Sequence, residues 1–101
     1  MRKDLKEIAY EELSEILQEY LDKGETKQAL AYCETIASAG NAYGYMFMGF
    51  IYEEGHGSVE ADYKKALCCY EKANSLGCDM EVEIVQLKKY LKKFENYKTF
   101  L

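Results

Sequence analysis

Proline and tryptophan are absent from the 101 residues, histidine occurs once, and no run of about 18 apolar residues is found. Without proline, helices are free of their strongest breaker. A lone His56 leaves any nucleophile short of a base and an orienting partner, so catalysis is not expected. The missing apolar run argues against a bilayer-spanning helix. Charges at Arg2, Lys3, Asp4, Lys6 and Glu7 stand where a secretory signal needs its apolar stretch, which makes the reducing cytoplasm the expected compartment. What the chain does have is 49% apolar residues and 18 acids against 13 bases, a net charge of -5. That is too apolar and too mixed in sign for disorder, and its length suits a single domain.

Abundant Glu, Lys, Leu, Ala and Tyr, with glycines in small groups between them, predict five helices. Asp4 with Glu7 reads as a capping box opening the first, in which Leu13, Ile16, Leu17 and Tyr20 recur at helical spacing, and Gly24 closes it. The second is expected from about Thr26 to Ser38 with Ala29, Leu30, Cys33, Ile36 and Ala37 inward, stopped by Gly40 and followed by an Asn41 cap. The third, Ala42 to about Glu54, is apolar almost all round, so it is either deeply buried or carries a binding face beside its core face. Gly55-His56-Gly57 ends it. The fourth starts near Asp62 and stops at Gly77; the fifth starts at Asp79, with Glu81 and Glu83 early and Lys88, Lys89, Lys92 and Lys93 late, as a helix dipole favours.

The chain repeats itself. A shift of 37 lays Ala29-Leu30 on Ala66-Leu67, Glu34 on Glu71 and Gly40 on Gly77; a shift of 32 lays Leu13, Ile16, Leu17 and Tyr20 on Tyr45, Met48, Gly49 and Tyr52. A longer loop from Gly55 to Ala61 accounts for the difference. Two helical hairpins and the opening helix of a third result.

Residues 42–77 resemble a Sel1-like repeat, the relative of the tetratricopeptide repeat with a longer glycine-bearing loop. The residues that carry the likeness are Ala42, Met48-Gly49, Tyr52, Gly55, Gly57, Val59, Asp62, Lys65-Ala66, Tyr70, Lys72-Ala73 and Gly77, in order. Ser58 is inserted before Val59, Met48 stands where Leu is usual, Cys69 where an aromatic is usual and Asn74 where Ala or Cys is usual. Residues 4–40 look like a degenerate copy and 79–101 like a terminal capping helix. The resemblance implies an all-α fold, a short right-handed solenoid of antiparallel helix pairs whose concave wall is lined by the first helix of each pair. It also implies protein or peptide binding rather than catalysis.

Other chemistry finds little support. Glu11-Glu12 and Glu53-Glu54 are sequence neighbours, which diverge by about 100° on a helix. Cys33, Cys68, Cys69 and Cys78 form no Cys-x-x-Cys, so neither zinc nor any other cofactor is expected, and small buried thiols are the simpler reading. The secreted branch of the Sel1-like family bridges its hairpins from a cysteine that would sit at Asn74. The first 62 residues carry five bases and thirteen acids, against eight and five in the rest, and the overall acidity argues against nucleic acid as a direct partner.

The candidate site comes from the repeat register. With Tyr45, Met48, Gly49 and Tyr52 assigned to the core, Tyr43, Phe47, Phe50 and Glu54 form a second stripe that the family pattern leaves free. The same register holds Glu11, Glu15, Gln18 and Asp22 in the first helix and Met80, Ile84, Leu87 and Leu91 in the fifth. The expected inner wall thus runs from acidic to aromatic to aliphatic. The leading expectation is a cytoplasmic adaptor that captures an apolar segment of a protein partner on the rings, with Glu11, Glu15 and Glu54 steering a basic flank. Alternatives are an acidic inhibitor occluding a basic groove, for instance on a nucleic-acid enzyme, and a homo-oligomer joined through the C-terminal helix. The rings are lost as a site if the fifth helix, with Phe94 and Leu101 extending its stripe, folds over them.

Overall fold

The computed structural model describes residues 4–99, with side chains as far as Phe94; Leu101 lies outside the described residues. Four helices of thirteen residues, α1 (Tyr10–Asp22), α2 (Thr26–Ser38), α3 (Ala42–Glu54) and α4 (Tyr63–Ser75), precede the longer α5 (Glu81–Thr99). Each packs on its neighbour in the chain. The molecule measures 58 × 30 × 18 Å with a radius of gyration of 14.7 Å, longer than the about 13 Å of a compact domain of this length. The fold is all-α and solenoid-like, growing along one axis by stacking helices.

The N-terminus departs from the expected first helix. Asp4 caps a short 3-10 turn, Leu5–Glu7, by accepting from the Lys6 N–H at 3.0 Å, and the chain is extended at Ile8 and Ala9 before α1 begins. The cause lies 33 residues away. Asn41, buried at the start of α3, donates from Nδ2 to the carbonyls of Ile8 at 2.9 Å and Leu5 at 3.1 Å, while its Oδ1 accepts from the Tyr43 N–H at 3.0 Å. Carbonyls committed to Asn41 in that geometry do not continue a helix ladder, and Ile8 is pulled into the core.

Two apolar clusters share α3. Ile8, Leu13, Leu17, Ala29, Cys33, Ile36 and Ile51 form one, and Met46, Ala66, Tyr70, Ala73, Met80 and Leu87 the other; Phe47 packs against both. The inward face expected of α2 is observed, with Leu30 half-buried and the other four buried. In α3 the expected core register is turned. Gly44, Met46, Gly49 and Ile51 are buried, whereas Tyr45, Met48 and Tyr52 are half-buried.

Two close approaches fix that rotation. A Cβ on Gly44 would lie 2.6 Å from the Ala37 nitrogen and the Cys33 carbonyl oxygen of α2, and one on Gly49 would overlap the ring of fully buried Tyr70 in α4. At about 100° per residue the two glycines are about 140° apart, so α2 and α4 flank α3 on different sides. Between them, Lys72 sits 5.5 Å from the Tyr45 ring centre and Lys65 5.4 Å from that of Tyr52, covering the outer face with cationic side chains. The hydroxyl of Tyr70 donates to Glu53 Oε1 at 2.6 Å, so the ring that meets Gly49 is held at its far end too.

Candidate binding face between the first and third helices

Opposite the outer face, α3 presents Tyr43, Phe47, Phe50 and Glu54 on one strip toward α1. Phe47 meets Phe50 edge to face at 5.9 Å, and Phe50 meets Tyr70 at 5.8 Å, which ties the strip to the core. Tyr10, in the first turn of α1, stacks on Phe47 at 5.2 Å and meets Tyr43 edge-on at 5.8 Å. Tyr43 is 36% exposed and Tyr10 43%, while Phe47 and Phe50 are half-buried. The rings form a continuous array, wet at the Tyr10/Tyr43 end.

Beside this array a groove of about 110 Å³ runs between α1 and α3, lined by Ser14, Leu17, Gln18 and Leu21 from α1 and Phe47, Phe50, Ile51 and Glu54 from α3. That is below the size of sites that enclose small molecules and suits a side chain of a larger partner. Of the proposed residues, Gln18, Phe47, Phe50 and Glu54 come together here, with Tyr43 in the adjoining ring array. Gln18 Nε2 is engaged with Asp22 Oδ1 at 2.8 Å.

Glu11 and Glu15 are exposed but do not line the groove. Ser14, Leu17 and Leu21, which line it together with Gln18, and Tyr10 of the adjoining ring array have the spacing of the α3 strip but sit one residue earlier than a shift of 32 implies. Burial of Leu13 and Leu17 sets the rotation of α1, and the carboxylates remain in water, where they keep their hydration. Tyr10 is the residue that the repeat register missed. A shift of 33 would have laid it on Tyr43.

The aliphatic part of the expected wall is not open either. Met80 and Leu87 are 3% and 4% exposed and belong to the core against Ala66, Tyr70 and Ala73, with Ile84 half-buried beside them. The connection before α5 has two more residues than the one before α3, so the register of α3 does not carry over to α5. Asn74, a departure from the repeat pattern, shapes this longer turn by accepting from the Met80 N–H at 3.0 Å. The stripe therefore faces α4 instead of the inner wall. Farther along α5, Tyr90 packs edge-on to Tyr63 at 4.7 Å and Phe94 is exposed.

His56 is exposed, yet its Nδ1 lies 3.1 Å from the hydroxyl of fully buried Thr26, and its backbone exchanges two hydrogen bonds with Val59 at 2.8 and 2.9 Å. It thereby fastens the α3–α4 loop to the start of α2. Burial pushes the Cys33 thiol up to about 12 and that of Cys69 up to about 11, away from any reactive range, whereas Cys68 is exposed. Among the described residues, no group of three or more His, Cys, Asp and Glu is placed to hold a metal, and no helix is long and apolar enough to cross a membrane. No family model, curated protein or solved structure matches the chain.

Proposed function

We propose that the chain is a small Sel1-like interaction module that seats an apolar segment of a protein partner on the α1/α3 face and operates in a reducing compartment. The observation that carries this reading is the ring array that opens to water at Tyr10 and Tyr43 beside an unfilled groove. Aromatic rings held by neighbouring rings lose little freedom on binding and supply large contact areas. Exposed Glu54 at the end of the strip suits a partner with a basic residue next to its apolar anchor.

Support for the repeat assignment comes from the work that its signature residues do. Gly49 admits Tyr70, Ala66 and Ala73 are fully buried, and Asp62 Oδ1 caps α4 by accepting from the Lys65 N–H at 3.1 Å. Gly57 holds a φ of 54° with its Cα against Thr26, where a Cβ would lie 2.8 Å from the Thr26 hydroxyl. Free cysteines accord with a reducing compartment.

Affinity capture from the native cell with the unaltered chain and with Tyr10→Ala/Tyr43→Ala tests the proposal. Both side chains are exposed, so the variant keeps its fold by circular dichroism. Loss of a central ring commonly costs about 2 kcal/mol or more, about thirtyfold in affinity, and the captured partner should be lost from the variant. Retention at undiminished affinity removes the face. Weak dependence on salt is expected; steep loss with ionic strength would favour the acidic surface of α1 instead.

A further inference from the structure

Two methionine sulfurs approach the thiol of Cys78 at the turn between α4 and α5. Cys78 Sγ lies 3.8 Å from Met46 Sδ and 3.9 Å from Met80 Sδ. The two methionines are buried, while Cys78 is half-buried and open to entry from water. They come from separate places, the first half of α3, the connection, and the residue before α5. Asn74 holds that last residue by its backbone.

The spacing of these sulfurs matches a donor set. A soft ion lying in the plane of three sulfurs, at the about 2.3 Å of a zinc–thiolate bond, holds them about 4.0 Å apart, since the edge of such a triangle is √3 times the bond. The separations of Cys78 Sγ from the two methionine sulfurs are both close to that length. One thiolate with two thioethers is a donor set for a soft monovalent metal, and it suits neither zinc, which takes four harder or anionic ligands, nor calcium and magnesium, which take oxygen. We propose that Met46, Cys78 and Met80 form a site for Cu(I). Binding is a ligand exchange without redox change: the Cys78 thiol gives its proton to solvent, a copper–sulfur bond replaces it, and the thiolate neutralises the ion. Because Met46 belongs to α3 and Met80 leads into α5, the ion would also clamp the terminal helix to the body of the stack.

The test uses the full chain, reduced and without oxygen, with Cys68→Ser removing the exposed thiol. Titration against the coloured Cu(I)–bicinchoninate complex should show one Cu(I) withdrawn per chain, with X-ray absorption reporting three sulfur neighbours. Binding to the native state alone should raise the melting temperature. Met46→Leu and Met80→Leu are nearly volume-conserving and preserve the core. Each should lower Cu(I) affinity by more than the about tenfold typical of losing an outer-shell partner, and Cys78→Ser should abolish uptake. Folded leucine variants that bind as tightly as the parent, two sulfur neighbours in place of three, or full uptake by Cys78→Ser would each overturn the site.

Discussion

Asn41 does two jobs that a pair of substitutions can separate. Its Oδ1 caps α3, and its Nδ2 fastens the segment before α1 through the carbonyls of Leu5 and Ile8. Serine is as good a cap as asparagine but has no amide donors, so Asn41→Ser keeps the first job and loses the second. The Ile8 carbonyl is then left without its partner in a buried setting, at about 1–3 kcal/mol. Asn41→Ala loses both, adding about 1 kcal/mol for the cap. In a domain of this size each kcal/mol lowers the melting temperature by about 4–8 °C. The expected order of stability, measured by thermal and urea unfolding, is wild type, then Asn41→Ser, then Asn41→Ala. A serine variant within about 0.5 kcal/mol of wild type would refute the tether, and with it the explanation of why the first helix starts at Tyr10 rather than Leu5.

Gly49→Ala drives a Cβ into the Tyr70 ring, which is fully buried and bonded to Glu53; a loss of about 1–3 kcal/mol is expected in urea unfolding, and a neutral result would show that the ring has room to retreat. Cys33 and Cys69 hold their protons up to about 12 and about 11 through burial, while unfolded thiols ionise near about 8.5. Above that pH the unfolded chain binds fewer protons than the folded one, so stability is intact below it and falls as pH rises toward 11–12, more shallowly in Cys33→Ala; a flat profile would contradict the burial. Ser14→Leu places a leucine in the α1/α3 groove and should stabilise the chain by about 0.5–2 kcal/mol while weakening partner capture; gained stability with undiminished capture would mean that the groove is not the seat.

Much of the fold is legible in the chain because its signals are local. The α2 and α3 boundaries follow from Gly24, Gly40, Asn41 and Gly55, and Asp62 marks the start of α4 as a cap should. What escaped is rotation about the helix axes, which depends on contacts far away in sequence. With two extra residues before α5 the register of α3 does not carry over and Met80 and Leu87 lie in the core, and Asn41 reaching back 33 residues converted a capping box at Asp4 into a 3-10 turn. Tyr43, Phe47, Phe50 and Glu54 share one face because they are what remains of α3 once the flanks that meet α2 and α4 are removed. Tyr10 was missed because a register one residue off exchanges it for Glu11.

The composition of α3 follows from its position between three unlike neighbours. Against α2 and α4 the helices close up, and only a missing side chain lets them, so glycine stands at both approaches. On the outer flank the neighbours are lysines of α4, whose stems cover the rings of Tyr45 and Tyr52 and whose charges remain hydrated. Toward α1 the neighbour is one helix removed, with α2 as the helix that both contact, and a gap is left between them. Large rings bridge that gap where Tyr10 meets Phe47, whereas the small Ser14 opposite leaves the groove. An apolar guest side chain would therefore complete a packing that α1 begins, without displacing anything that the stack needs to stand.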